Sequence, residues 1–400
     1  FMMRLSYIAR RNLASKPLQT ALSVILLAFG VGMVSLMMLA ERQMTDQFEK
    51  NIKDIDLVLG AKGSPLQLIL ANVYHVDAPT GNISLAEAEK VMKNPYIESG
   101  IPLAYGDNYR SFRIVGTEYS YPEHYDASIA EGKLWEDVFE VTLGHAVASK
   151  TRLKVGDQFF SSHGLTDETD VHKDKAFTVV GILTKSNSVI DQLILTGVES
   201  LWAVHAEDDD LEISAEELYA SREITAVLLK KRNPMAILTL PNLLRETNMQ
   251  VALPAIEINR LNQQFGIGAA TLRSIALLIM ILSFASIFIS VFENMQARRY
   301  ELALMRTMGA TPFTLIKLLL LEGGILSLFG TLFGLIISRI GLFILASEVE
   351  SKFQYDIGDL GLIAPEVILA IFAILVGLIA AALPAERTLR MDISKTLSNE

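Results

Sequence analysis

The sequence contains no cysteine. Disulfides, thiolate metal sites and cysteine nucleophiles are therefore excluded, while the redox compartment stays open. Basic residues are in deficit: 35 Lys and Arg face 45 Asp and Glu, for a formal net charge of −10. That balance argues against a nucleic-acid partner. Catalytic motifs are missing too. No Gly-x-x-x-x-Gly-Lys-Ser/Thr phosphate loop occurs, and the nearest string, Gly60-Ala61-Lys62-Gly63-Ser64, has the wrong spacing. Neither a Gly-x-Ser-x-Gly elbow nor a His-Glu-x-x-His zinc helix is present. The histidines are scattered at 75, 124, 145, 163, 172 and 205. His163 and His172 share an acidic stretch and are the weak candidates for a divalent metal. Loop histidines on an acidic surface are the plainer reading. No catalytic residue and no cofactor are expected in this chain.

Apolar residues are what the sequence has in quantity. They make up 51% of the 400 residues, yet 20% of the chain is charged. The mean hydropathy of +0.35 fits a chain partly in lipid and partly in water. The excess is concentrated in runs. Pro17 to Ala40 carries no charge, nor does Ser274 to Phe292. Leu318 to Ser338 is interrupted only by Glu322, and Val367 to Ala385 is a fourth run. Each is long enough to cross a bilayer as a helix. The first is too long for a signal-peptide core and lacks a small-x-small cleavage pattern, so it is expected to be a retained span.

These runs divide the chain. An amphipathic N-terminal helix (1–16) precedes span one (17–40). A large segment (41–273) separates it from span two (274–293). A short connection (294–317), span three (318–346), a loop (347–362), span four (363–385) and a tail (386–400) follow. Residues 41–272 hold 34 acidic and 21 basic side chains, a net charge of −13. The basic residues Arg4, Arg10, Arg11 and Lys16, then Arg298, Arg299, Arg306 and Lys317, then Arg387, Arg390 and Lys395 all fall on one side of a four-span topology. Positive charge marks that side as cytoplasmic, placing both termini inside and the large segment outside.

The fold class expected is an integral membrane protein of four helices, with a mixed α/β extracytoplasmic domain inserted between helices one and two. Strand-like runs are Ser111–Gly116, Ala176–Leu183, Gln192–Leu195 and Ile224–Leu229. Ser84–Met92 and Ile213–Ala220 read as helices with capping boxes at Ser84/Glu87 and Ser214/Glu217. Gly106-Asp107 and Gly156-Asp157 read as turns, and Leu165–Lys175 and Glu207–Asp210 as solvated loops. Met44, Phe48 and Ile52 continue span one at helical spacing. Ile258, Leu261, Phe265, Ala269 and Leu272 lead into span two on one face, which suggests a paired stalk.

Within the spans, Gly330-x-x-x-Gly334 and the Gly30/Gly32 pair are close-packing surfaces, within the chain or across a dimer. Glu322 is either a buried partner for a neighbouring span or an arginine, or snorkels to water. Glu366 follows Pro365 in a helix-start pattern. The short connection is two-sided. Leu302, Met305 and Met308 are expected on a membrane- or partner-facing side, with Arg299, Glu301 and Arg306 presenting charge. Gly309 is placed to end the helix and Pro312 to start the next. Such a knob suits docking in a groove of a soluble partner; an interfacial linker is the alternative.

The string Arg299-Tyr-Glu301-Leu-Ala-Leu-Met-Arg306-Thr-Met-Gly309-Ala310 resembles the coupling helix of the FtsX/MacB-like permease family, the type VII ABC transporters. Leu321-Glu322-Gly323-Gly324 with Gly330 and Gly334 is similar to that family's third span. Pro384-Ala-Glu-Arg387-Thr-Leu-Arg390-Met-Asp392-Ile-Ser-Lys-Thr-Leu397 resembles its C-terminal tail. The resemblance implies an ABC permease subunit, with Arg298, Arg299, Glu301, Leu302, Met305, Arg306, Gly309 and Ala310 as its ATPase contact. It implies a homodimer in the bacterial inner membrane on two copies of a separate ATPase, which holds the ATP and Mg. It further implies mechanotransmission to a periplasmic or outer-leaflet substrate (a peptide, antibiotic, toxin or lipoprotein), with a periplasmic adaptor or binding protein as a further partner. A signal transducer controlling a cell-wall hydrolase and a divalent-metal (zinc) uptake permease are the alternatives.

Overall fold

The computed structural model describes residues 2–162, 171–205, 222–353 and 361–387. Two helices come first, α1 (Met2–Ser15) and α2 (Pro17–Asn51). Then follow β1 (Leu57–Ala61), α3 (Pro65–Asn72), β2 (Ile83–Ser84), α4 (Leu85–Met92), β3 (Ile97–Tyr109), β4 (Phe112–Thr117) and α5 (Ser120–His124). Next are β5 (Ile129–Gly132), β6 (Glu140–Leu143), α6 (His145–Thr151), β7 (Gln158–Ser162), β8 (Val171–Leu183), β9 (Ile194–Gly197) and α7 (Val198–His205). After them come β10 (Glu223–Ile224), β11 (Ala226–Lys231), α8 (Met235–Leu243) and β12 (Met249–Ala252). The final helices are α9 (Pro254–Ala297), α10 (Arg299–Thr307), α11 (Pro312–Phe353) and α12 (Ala364–Arg387). The chain forms two compact units. Phe1–Met44, Phe265–Glu348 and helix α12 belong to one, and Thr45–Gln264 makes most of the other.

The helical unit is held together by apolar stripes and small residues. Among the described residues, four segments are long and apolar enough to cross a membrane: Pro17–Asn51, Ala270–Ala297, Pro312–Ala346 and Ala364–Ala385. Helix α11 does not stop at Ala346. It continues to Phe353, so part of the expected loop from Ser347 is helical. Helix α1 lays Leu5, Ala9 and Leu13 into the same core as Leu315, Leu318 and Leu319. Its amphipathic face is thus a packing surface.

The span glycines pack within the chain. A Cβ on Gly334 would meet the Ala28 carbonyl oxygen and Val31 Cβ at 2.9 Å, and one on Gly32 would meet the Gly334 carbonyl oxygen at 2.9 Å. Gly330 faces Leu27, Gly30 faces Met280, and Gly377 of α12 faces Ser327. Spans one and three therefore approach backbone to backbone, as small-residue surfaces allow in lipid.

The second unit is a mixed α/β layer structure. Its main sheet runs β12-β1-β11-β3-β4-β9-β6-β8-β5, and β7 bridges β3 and β8. The pairings from β3 through β4, β9, β6, β8 and β7 return to β3 and close a ring. Both faces are covered. Leu57, Leu59, Ile114, Ile194, Val227 and Leu229 point into one core, and Val58, Val115, Leu195, Ala226 and Leu228 into the other. This period-two division explains why the strands read as nearly continuous apolar runs. Phe48 and Ile52 at the end of α2 share the second core with Ile258 at the start of α9. The side chains of Phe265 and Ala269 lie outside the description.

Local expectations fail where chain context overrides short motifs. Ser84 makes no side-chain cap on α4; it is the last residue of β2, paired with Glu223. Gly106-Asp107 is not a turn but a bulge inside β3, where register shifts between Tyr105 and Asn108. The reversal comes at Arg110 and Ser111, with φ of 47° and 68°, joining Tyr109 to its partner Phe112. Two successive positive φ values match the right-handed twist of a two-residue hairpin. The strand expected from Gln192 starts at Ile194, after a 3-10 turn at Val189–Gln192. Val171–Lys175, expected as loop, begins strand β8. The loops expected at 165–170 and Glu207–Asp210 and the helix expected at Ile213–Ala220 lie outside the described residues.

Candidate functional site

The knob between spans two and three is helix α10. Only Arg298 separates it from α9. Its end is a Schellman closure. The Ala310 amide donates to the Met305 carbonyl at 2.9 Å and the Gly309 amide to the Arg306 carbonyl at 3.1 Å. Gly309 has φ +98°, a conformation that a side chain would strain. Helix α11 then starts at Pro312.

The two faces of α10 differ from expectation. Leu302 and Ala303 are buried and Met305 packs against the helical core, so these residues clamp α10 to the bundle. The exposed apolar stripe is Tyr300, Leu304 and Met308, spaced i, i+4, i+8, with Phe313 continuing it on α11. Met308 is 81% exposed and Phe313 72%. Periodicity alone left two apolar stripes to choose between, and packing selects the one facing inward. Arg299 and Glu301 are exposed, while Arg306 and Ala310 are half-buried.

Glu322 does not snorkel. It is 1% exposed and accepts a hydrogen bond from Asn12 Nδ2 at 2.5 Å, with Arg298 Nη1 at 3.9 Å from the same Oε1. Arg298 also pairs with Glu301 at 2.6 Å. One arginine therefore lies between a carboxylate of α10 and a buried carboxylate of α11, with α1 supplying the amide. Asn12 was not singled out from the sequence, because nothing local marks one polar residue on an amphipathic helix.

A second polar cluster joins α2, α11 and α12. Arg339 donates to Glu366 through both terminal nitrogens, at 2.5 and 2.7 Å. Ser35 Oγ donates to Glu366 Oε1 as well and lies 2.9 Å from Ser338 Oγ. Glu366 Oε2 accepts the Ile363 amide at 3.1 Å, so the helix-start role read from the sequence holds alongside the ion pair.

In the second unit, His75 stands between two tyrosines. Its Nε2 lies 2.8 Å from Tyr121 Oη, and its Nδ1 3.1 Å from Tyr105 Oη. Burial, then the nearby Arg113 guanidinium, lowers its pKa to about 3, so the ring is neutral. Burial raises the Tyr105 phenol well above its usual range. Elsewhere, burial and then the nearby Glu199 carboxylate raise the Glu118 pKa. Among the described residues, no three metal-ligating side chains converge. His163 and the side chain of His172 lie outside the description.

Comparison with known proteins identifies relatives of both units. Residues 273–393 match the FtsX-like permease C-terminal model, and residues 20–230, more than half of the chain, match the MacB-like periplasmic core domain model. An uncharacterized ABC transporter permease of Methanocaldococcus jannaschii is 26% identical over 293 residues, covering 68% of this chain and 66% of that protein. The chain thus spans just under two thirds of that relative's length. The periplasmic region of MacB from Actinobacillus actinomycetemcomitans aligns over 54% of this chain and 97% of its own, with 12% identity and a TM-score of 0.35. The extracellular domain of the noncanonic ABC-type transporter YknZ from Gram-positive bacteria aligns over 49% and 98%, with 11% identity and a TM-score of 0.30.

Proposed function

The chain belongs to the FtsX-like permease family with a MacB-like periplasmic core domain, and from that premise we propose that it is the membrane subunit of an ABC complex driven by an ATPase on another chain. The observation that carries this reading is the double face of α10. One face is clamped to the bundle through Leu302 and Ala303, and the other presents Tyr300, Leu304, Met308 and Phe313 uncovered. A contiguous exposed apolar stripe of this kind suits a protein partner. Because only Arg298 links α10 to α9, displacement of α10 is passed directly to that span.

In this reading the knob and both termini face the cytoplasm and the second unit lies outside the cell membrane. Two copies of the chain sit on two ATPase copies, which hold ATP and Mg. Closure of the ATPases pushes α10, and the motion works on a periplasmic or outer-leaflet substrate such as a peptide, antibiotic, toxin or lipoprotein, with an adaptor on the outer side. The absence of a phosphate loop from these 400 residues supports a separate ATPase.

A mild-detergent pull-down of the tagged chain from its native membrane, with mass spectrometry, tests the proposal. Recovery of a subunit bearing a phosphate loop, lost in Leu304→Asp/Met308→Asp, is the expected result. Recovery of that subunit undiminished by the double variant would remove α10 as the contact. Recovery of the chain alone, where a known complex of this kind survives, would overturn the ABC reading.

A further inference from the structure

A cavity of about 370 Å³ opens in the second unit at the carboxyl ends of β4 and β9. These strands are parallel neighbours, paired from Ile114↔Ile194 to Thr117↔Gly197. Beyond them the chain diverges. It leaves β4 into α5, whose Tyr121 packs into one core, and leaves β9 into α7, whose Leu201 and Val204 pack into the other. Divergence to opposite faces of the sheet opens a crevice at the strand ends. Thr117 and Gly197, the last residues of the two strands, lie on its wall.

The lining is aromatic and acidic. The Tyr119 and Trp135 rings sit 5.3 Å apart at 56°, and the Tyr119 hydroxyl donates to the Trp135 carbonyl at 2.5 Å, which fixes the pair. Glu118 and Glu199 contribute carboxylates without an ion pair among the described residues, whereas Glu136 is taken by Lys133, whose charge also acts on Asp137. The polar floor is already satisfied, since Ser200 Oγ accepts from the Phe139 amide at 3.1 Å and from Thr196 Oγ1 at 2.7 Å.

An independent observation concerns a donor. Trp135 is 5% exposed, lies on the cavity wall, and its Nε1–H meets no acceptor among the described residues. A Cβ on Gly197 would stand 3.5 Å from that nitrogen and 2.9 Å from Glu199 Oε2. The bare glycine therefore leaves space beside an unused indole donor and an unused carboxylate. The Nε1–H is open to the cavity and not sealed in the core, so an acceptor on a bound molecule can reach it.

We propose that this cavity binds an organic cation, a primary ammonium or guanidinium group. The cation lies over the Tyr119–Trp135 pair with Glu118 and Glu199 as counter-charges, and an adjoining carbonyl accepts the Trp135 N–H. Aromatic faces and carboxylates both attract such groups. A hard metal ion instead needs convergent oxygens on all sides, which an indole and a phenol wall do not supply. The volume lies at the small end of ligand pockets, suited to one amine-bearing side chain or a small free amine.

The proposal stands apart from the ABC assignment, because its test reads binding alone. Trp135 and Trp202 are the two tryptophans of the chain, so full-length Trp202→Phe in lipid nanodiscs reports Trp135 fluorescence. Agmatine and a Gly-Arg-Gly peptide are the probes, with calorimetry on the unaltered chain as a second readout. A saturable response, weakened about tenfold or more in Glu118→Gln/Glu199→Gln, is expected. Those side chains are exposed, so folding is not at stake. Gly197→Ala, whose φ is ordinary and whose new methyl meets only a flexible carboxylate and the indole, should weaken binding likewise. Tighter binding of the peptide would identify a basic peptide as the ligand, and tighter binding of agmatine, which has no carbonyl, would overturn the carbonyl contact with Trp135 and leave a free amine. No saturable response to either probe would overturn the proposal. So would an unchanged response in the double glutamine variant, or an equal response to magnesium chloride or to uncharged valeramide.

Discussion

Arg339 of α11 holds Glu366 of α12 with two hydrogen bonds, although Glu366 is fully buried among the spans. Removing one partner strands the other charge. Glu366→Ala should therefore destabilise the helical unit by about 3–5 kcal/mol, while replacing both residues by Met should cost far less. Thermal unfolding in detergent distinguishes the two variants. Equal unfolding of Glu366→Ala and the parent chain would show that the pair holds nothing together.

Backbone contact at Gly334 makes a sharp comparison with Gly324. At Gly334 an added Cβ meets the Ala28 carbonyl oxygen and Val31 Cβ at 2.9 Å, whereas at Gly324 it meets only the mobile end of Leu378 at 3.2 Å. Gly334→Ala should cost about 1–3 kcal/mol and Gly324→Ala clearly less. The same unfolding assay ranks them, and the reverse order would contradict the close approach of spans one and three.

Leu302 and Leu304 lie two residues apart and should fail differently. Leu302→Ala empties a buried site and should cost about 2–5 kcal/mol of stability. Leu304→Ala, at an exposed site, should cost within about 0.5 kcal/mol yet reduce retention of the ATPase subunit. Stability and pull-down measured on both variants check this. A Leu304 variant that binds the ATPase fully would argue for a different docking face.

Acid should loosen the second unit through His75. Its folded pKa of about 3 lies below the ordinary value of 6.5, so on acidification the unfolded chain takes up a proton that the folded chain refuses. Stability is thus fully present above about pH 6.5 and falls toward pH 3, by at most about 1.4 kcal/mol per pH unit. His75→Gln should flatten that slope in chemical unfolding followed by Trp fluorescence. A slope unchanged in the variant would assign the acid sensitivity to other groups.

Much of this architecture was legible in the residues. Charge-free runs such as Pro17–Ala40 require no tertiary information to be read as spans, and Gly309 announced its helix end because only glycine sits comfortably at φ +98°. What stayed hidden depends on neighbours distant in sequence. Asn12 and Glu322 are 310 residues apart, and Arg339 and Glu366 are 27 apart on different helices. Which apolar stripe of α10 turns inward is decided by the core of α1 and α11. Gly106-Asp107 has turn composition but sits inside a thirteen-residue strand, where a bulge absorbs it. The cavity at Gly197 arises only once β4 and β9 lie side by side.

The sheet's connectivity bears on how a load would travel. Helix α2 leads into β1, and β12 leads into α9; the two strands are antiparallel neighbours, Val58↔Ala252 through Ala61↔Met249. Strand β1 is also paired along its other edge with β11. A load directed along β1 acts in shear, and because ladder hydrogen bonds lie perpendicular to the strands, they strain together instead of parting one at a time. Two flanking ladders make β1 a stiff anchor, so a load along the strand would move the sheet as one body before it unravelled the strand.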